Sequence, residues 1–512
     1  MIKRNRLYKQ SLYILYKQSL YILTLIKKLV FDNKFQYFLL TVILFLAFFV
    51  RIYKINNPVA DWHAWRQVDT ASVSRIFLDN GINLLKPQYY DISPTQTGYY
   101  NPQGLRFVEF PIYNLINVLA FKAFPRFSLE VWARLISIFS AVGTAFFLYL
   151  IGKRFTDKWG GLVAAFFYAF IPYNIYFTRV ILPEPMAVFL TISSLWFFLV
   201  FVDKNTKLHL FLSAILLGLA MLLKPFVLFY FPVYIYVYIK KFGLRSFWKR
   251  VDIYLAALCV IVPFCLWRIW MNQGPNLVGI PLFDWLFNGN GIRFRPAWWR
   301  WIFGERLGYL ILGIWGVPLF IFGLIRKQNW PIILSAFGMF LYVAILADGN
   351  VQHDYYQTQT IPAIALMLAS GISYLWNSKE FNKWVSRPVI IFCVGMMLGM
   401  GLFQMIGDYQ INHPEVILAG QAVDRLVPKD AIVIAPYNGD TTFLYQTHRF
   451  GWPVVDRSFD ELIKLGADYY VSVNYDSDTN LLLSKYKAIE KNSSFVIIDL
   501  HQPTTVTSSS KK

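Results

Sequence analysis

The feature that most limits what this chain can fold into is a series of long apolar blocks free of charge. Leu135–Gly152, Trp159–Thr178 and Pro388–Gly407 are examples. A block of about 18–20 residues crosses a hydrocarbon core of roughly 30 Å as a helix. Only 15% of the residues are charged, against about a quarter in an ordinary soluble domain. The chain is therefore an integral membrane protein of multi-pass type. The spans predicted from the blocks are 36–53, 130–151, 159–177, 185–202, 208–223, 225–240, 252–270, 307–325, 331–347, 360–377 and 388–406.

The formal net charge of +20 would suit nucleic acid in a soluble protein, but here it has a simpler source. Lys and Arg collect in cytoplasmic loops, and no nucleic-acid partner is expected. The same rule settles an ambiguous stretch, Phe110–Phe124. If it does not span, the loops 152–158, 203–207, 240–250, 326–330 and 377–387 all lie inside, with 15 Lys or Arg among them. If it does span, all of these face outward. Phe110–Phe124 is thus expected to lie along the outer interface. Eleven spans then put the N-terminus in the cytoplasm and the C-terminus outside, across a cell membrane.

Residues 1–35 carry eight Lys or Arg before Phe35 and an exact duplication, LYKQSLYI at 7–14 and 15–22. They read as a basic segment on the inner leaflet, with no small-residue cleavage site after the first apolar block. Residues 36–406 form the membrane domain, with outer loops 54–129 and 271–306. Cys259, Cys265 and Cys393 all fall in apolar blocks and read as small core residues. From 407 the character changes. The helical run HPEVILAGQAVDRLV, the strand candidate AIVIAP, the helix FDELIKLG and the strands DYYVSV and FVIIDL predict a small α/β domain over 407–512. Its last residues, TTVTSSSKK, read as disordered.

The spans hold almost no carboxylates, and those present sit at their ends. Ion-coupled transporters need ionisable groups near the midplane, so polar chemistry here belongs to one membrane face. On the outer side, Asp61, Trp62, His63, Ala64, Trp65, Arg66, Gln67, Val68 and Asp69 lead into a helix that stops at Asp79-Asn80-Gly81. Asp69 near its start reads either as a helix-dipole charge or as a functional carboxylate. Glu109 reads either as a cap or as a site residue. Arg66, Arg134, Arg179, Lys224, Arg293 and Arg295 lie on or near the outer surface against the positive-inside trend. Snorkelling explains any one of them; a cluster fits phosphate. The tryptophans at 298, 299 and 301 read as an interfacial belt or as a surface for a lipid carrier or sugar rings. His353, Tyr355 and Tyr356 are candidate donors to a phosphate.

In this order and on one side of the membrane, these segments resemble the C-type membrane glycosyltransferases, specifically bacterial members of family 39. That family includes relatives of protein O-mannosyltransferases and of the lipid A aminoarabinose transferase. The likeness rests on His63–Thr70, Glu109–Tyr113, Arg134-Leu135, Arg179–Glu184 and His353–Tyr356 with Pro362, over about 36–406. It implies a sugar donor on a polyprenyl phosphate and an acceptor of unidentified class. It also implies a carboxylate base in the first outer loop. The family's adjacent acidic pair is absent: seven residues lie between Asp61 and Asp69. Asp69 fits by its position in the helix, and Asp61 is the alternative. Arg134, Arg179, Lys224 and His353, with Arg293 and Arg295, would receive the leaving phosphate. Glu109 and Glu184 would orient substrate or hold a divalent cation; no metal and no other cofactor is assigned. Two further readings stay open, a lipid-linked-oligosaccharide flippase or other transporter and a non-catalytic scaffold.

Overall fold

The computed structural model describes residue 17 and residues 33–272, 283–325 and 329–504. The basic N-terminal segment, most of loop 326–330, part of the second outer loop and the end of the tail lie outside the described residues. Every apolar block is helical. Lys34–Arg51, Leu129–Phe155, Glu184–Lys204, Val251–Met271 and the stretch from Lys383 are long and apolar enough to cross a membrane. Lys207–Leu223, Trp330–Ile345 and Ile361–Asn377 are shorter apolar helices.

Three blocks are broken. The first turns at Ile171 between Lys158–Phe170 and Pro172–Phe177, where the proline has no N–H to continue the ladder. The second opens as a 3-10 turn at Pro225–Tyr230 before Phe231–Phe242. The third joins a wide helix, Arg300–Ile311, to Val317–Ile325. Its link passes through Gly313 and Ile314, both at positive φ. For a β-branched residue that conformation is strained, so surrounding packing must hold it. Helix pairs approach closely at glycines, as membrane bundles do. A Cβ on Gly371 would collide with the Leu319 carbonyl, and one on Gly323 with that of Met367. Cys393 is buried, whereas Cys259 and Cys265 are exposed on Val251–Met271, so those two are not core residues.

Ile112–Ala123 has 12 residues, roughly 18 Å of helix, too short to cross. It packs on Ala64–Asn80 and Leu129–Phe155. The Asn114 amide donates to the Thr70 carbonyl at 2.6 Å, and the Tyr113 hydroxyl to the Ala133 carbonyl at 2.6 Å.

The C-terminal part forms a five-stranded sheet. Its strands are β1 (Ile432–Ile434), β2 (Gly451–Trp452), β3 (Ala467–Ser472), β4 (Tyr486–Lys491) and β5 (Val496–Pro503), in the order β2-β1-β3-β5-β4. The first three are mutually parallel, and β5 runs antiparallel to β3 and β4. Helices Pro414–Leu426, Thr442–Thr447, Phe459–Lys464 and Ser477–Lys485 complete it. Ser458 and Glu461 form a capping box at the third of these. The sheet is keyed into the long loop between the first helix and Leu129–Phe155. Ile92 N–H donates to the Gly451 carbonyl and Gly451 N–H to the Tyr90 carbonyl, each at 3.0 Å, so the loop extends the β2 edge.

Asp91 lies at that junction, fully buried, with Oδ1 accepting from Ser93 N–H at 2.7 Å and Oδ2 unpartnered. Burial pushes its carboxyl up to about 7. A carboxyl raised from 3.8 to about 7 gives stability that is present at low pH and lost as pH rises through that window. Thermal stability should therefore fall between about pH 4 and 7, and Asp91→Asn should flatten that dependence and raise the melting temperature at pH 8. An unchanged pH profile in the variant would refute the assignment.

Candidate active site

The first-loop helix Ala64–Asn80 is unusual in burying its polar residues as completely as its apolar ones. Arg66, Gln67, Asp69, Thr70, Ser72 and Ser74 are all buried with Val68 and Ala71. Buried polar groups require partners, and these come from every neighbouring part of the chain. The helix begins after His63, whose left-handed backbone (φ 55) turns Asp61 and Trp62 away from the helix axis.

Asp61 and Asp69 are equally buried, the side chain of each 0% exposed, but they have different partners. Asp69 accepts from the Thr441 hydroxyl at 2.7 Å and the Gln96 amide at 3.3 Å, and faces the Arg106 guanidinium at 3.1 Å. Its role in the fold is thus to join the first loop to the C-terminal part. Asp61 accepts from the Gln67 amide at 2.7 Å, lies 3.4 Å from Arg179, and forms part of the wall of a cavity of about 590 Å³. Trp62, His63, Trp65, Asp408, Tyr437 and Asp440 share that wall. Burial, then the charges of Asp354 and Asp61, push the Asp408 carboxyl up to about 7. Burial also raises that of Asp440.

His63 Nε2 reaches Asp354 at 2.6 Å, and the Trp62 indole N–H donates to the same carboxylate at 3.1 Å. Arg306 stands 3.9 Å from it. Asp354 opens a buried turn, Asp354–Gln359. Gln357 of this turn and the adjoining Thr360 line a second cavity of about 550 Å³, otherwise almost wholly apolar, between the helices around 302–324, 333–343 and 363–364. One short segment therefore touches both: Gln357 lines the apolar cavity, and Asp354 bonds His63 and Trp62 in the wall of the acidic, aromatic one. His353 packs its ring 5.6 Å from Trp65 and 5.5 Å from both Tyr355 and Tyr356. Burial, reinforced by nearby His63, Arg66 and Lys224, lowers its pKa to about 4, so it is neutral and donates one N–H.

The remaining sequence candidates divide by what they hold. Arg66, Glu109, Lys224 and Glu184 form one buried network. Arg66 pairs with Glu109, and the Lys224 ammonium lies 2.6 Å from Glu109 and 2.8 Å from Glu184. Burial favours the neutral Glu109 acid, but Arg66, Lys224 and Arg106 outweigh it and bring the carboxyl down to about 2. Two acids and two bases compensate one another, and the Lys224 ammonium occupies the space between Glu109 and Glu184. Among the described residues no group of three or more His, Cys, Asp or Glu is arranged for a metal. Arg134 donates to the carbonyls of Ile55 and Asn57 at 2.6 Å each, and Arg179 to that of Lys54 at 3.0 Å while stacking on Tyr409. Both are wholly buried and hold the loop that leaves the first helix. Arg293 donates to the Ala344 carbonyl at 2.8 Å, and the exposed Arg295 to that of Asn290 at 3.1 Å.

Residues 111–270 match the family model described as dolichyl-phosphate-mannose-protein mannosyltransferase. No protein of curated function matches the sequence. Among solved structures, the chain is similar to ArnT from Cupriavidus metallidurans bound to undecaprenyl phosphate. The TM-score is 0.61 at 12% identity, over 91% of this chain and 98% of that one. It is also similar to the oligosaccharyltransferase of Archaeoglobus fulgidus in complex with zinc and sulfate, with a TM-score of 0.51 at 13% identity, over 84% and 67%. The chain has the C-type glycosyltransferase fold.

At these identities the likeness is one of fold, and the matched stretch 111–270 includes neither the first-loop helix nor the His353 turn. Within this C-type chain the sequence reading missed Arg106, Gln96 and Thr441, the partners of Asp69. It named Asp354 without its bond to His63. It also left out Asp408 and Asp440 of the cavity wall. Asp408 follows the last apolar block directly, as carboxylates at span ends do in this chain, so one signal was available.

Proposed function

We propose that the protein is an integral membrane glycosyltransferase. It would move a sugar from a polyprenyl-phosphate donor to a hydroxyl on a lipid, glycan or protein acceptor. The reaction faces the extracytoplasmic side, with eleven spans, the N-terminus in the cytoplasm and the C-terminal sheet outside. The observation that carries this reading is a pair of cavities, one acidic and aromatic, the other apolar, linked through Asp354–Gln359 by the bonds of Asp354 to His63 and Trp62 and by Gln357. Such a pair suits a molecule with a sugar at one end and an isoprenoid at the other.

Asp61 is the base in this reading. It takes the proton of the acceptor hydroxyl, and the acceptor oxygen attacks the anomeric carbon. The bond from that carbon to the phosphate oxygen breaks, leaving the electron pair on the lipid phosphate. Trp62 and Trp65 offer ring faces to the sugar. Arg306 and neutral His353 border the Asp354 turn and, with Arg293, stabilise the leaving phosphate. Arg66 and Lys224 act one step back, locked to Glu109 and Glu184, and Arg134 and Arg179 anchor the loop that presents Asp61.

The test is transfer by purified protein in liposomes from a panel of radiolabelled polyprenyl-phosphate sugars to an envelope extract. Incorporation is expected from at least one donor. Its absence from all of them, with the fold intact, would overturn the reading. The apolar cavity makes a separate prediction. Ala336→Trp, which fills it, should raise KM for long-chain donors about tenfold and leave a short-chain donor unaffected. Equal effects on both chain lengths would remove the tail from that cavity.

A further inference from the structure

A third cavity is larger than either of those two. This space of about 810 Å³ opens where the far end of the first-loop helix meets the C-terminal sheet. It lies within the range of ligand pockets, about 300–1,000 Å³. Arg75, Asp79 and Asn80 line it from the helix, and Asp424, Asp430 and His448 are among those facing them. Arg75 is on the same helix as Trp65, ten residues further on, so the space lies roughly 15 Å from the acidic cavity.

Most of its charges are paired, but Asp79 and Asp430 have no salt-bridge partner among the described residues, so the space is unfavourable to an anion. Asp424 is met by Arg449 at 3.0 Å, Lys429 at 2.5 Å and His448 at 3.5 Å. Arg75 pairs with Glu130, which also accepts from the Tyr445 hydroxyl at 2.7 Å. What remains toward the space is mainly acceptor capacity, to which the Asp79 and Asp430 carboxylates contribute. Gln88 is fixed by donating to the Gln103 carbonyl at 2.7 Å, and its amide oxygen is left as an acceptor. Tyr90 and Phe450, edge to face at 5.5 Å, supply an aromatic wall. Carboxylate and amide acceptors beside ring faces suit a polyhydroxylated ligand that carries no negative charge.

We infer that this seam cavity binds a neutral oligosaccharide, the stem of the acceptor onto which the sugar is transferred. That the glycan is the acceptor's own stem rests on the transfer reading above; that a neutral glycan binds here does not. Binding at this distance would supply affinity remote from the reacting carbon, energy that an enzyme can direct into orientation.

The probes are neutral trisaccharides of mannose, glucose and N-acetylglucosamine, titrated calorimetrically against the full chain in detergent, with a triuronic acid as the charged control. Saturable binding of at least one neutral probe is expected. Gln103→Trp and Asp430→Trp, both at exposed positions that leave the fold untouched, should each weaken it about tenfold. Absence of binding by every neutral probe would overturn the inference, as would indifference to both variants or tighter binding of the triuronic acid. Transfer without trisaccharide binding would remove this site and leave the enzyme reading standing. Trisaccharide binding without transfer from any donor would do the reverse.

Discussion

Replacing Asp61 by Asn is expected to slow sugar transfer by about 10²–10⁴-fold, the usual contribution of a general base, with the protein still folded and inserted. The side chain's neighbours explain why both halves of that statement hold together. The substituted amide would keep an oxygen for the Gln67 amide, which donates to Asp61 at 2.7 Å. Arg179 would lose the carboxylate at 3.4 Å but keep the Lys54 carbonyl at 3.0 Å and the face of Tyr409 at 4.8 Å. What disappears is the lone pair that takes a proton in the cavity. The contrast is Asp69→Asn. That carboxylate is held by Thr441, Gln96 and Arg106 and does not line the acidic cavity. Its neutralisation should lower the melting temperature by loosening the seam and cost less than tenfold in rate. Rates and melting curves of the two variants, measured side by side, decide the matter. An Asp69→Asn protein that melts normally and is inactive would return the base to Asp69.

Those two aspartates also show where sequence reading ends. Both are acidic residues beside a predicted helix start, and by spacing alone Asp69 suits the role better. The distinction comes from Thr441 and Arg106, partners that no local pattern announces. Thr441 is hundreds of residues away in the chain, and Arg106 sits in an irregular loop. The membrane blocks were legible because twenty apolar residues in succession have few other fates. Their interruptions were partly so. Pro172 and Pro225 announce a break, whereas Ile314 at positive φ does not, since only packing imposes that conformation. In the C-terminal part the longer strands and amphipathic helices were readable by period. The two-residue β2 and the half-exposed β4 were not, because short edge strands need no continuous apolar face. Asp476, which caps Ser477–Lys485 with a bond to Thr479 N–H at 2.9 Å, was a start signal that went unread.

Removing the ammonium from Lys224 should destabilise the protein by about 3–5 kcal/mol, the usual result of stranding a buried charge. Glu109 would retain Arg66, but Glu184 would not be compensated. It is 1% exposed, and Lys224 at 2.8 Å is its one salt-bridge partner among the described residues. Lys224→Met keeps the length and the apolar stem while deleting the charge, so packing changes little. The double variant Lys224→Met with Glu184→Gln should recover most of the lost stability, because the acid that needed the ammonium is then neutral. Non-additivity of this kind is the signature of a direct pair. Melting in detergent measures stability, and transfer assays at a temperature where every variant is folded measure function. If the double variant is both stable and active, Lys224 serves the architecture that presents the first-loop helix. If it is stable and transfer still fails, with KM for the donor raised, Lys224 contacts the lipid phosphate, and the network must open for substrate to bind. A single variant that melts like the wild type would refute the pairing itself.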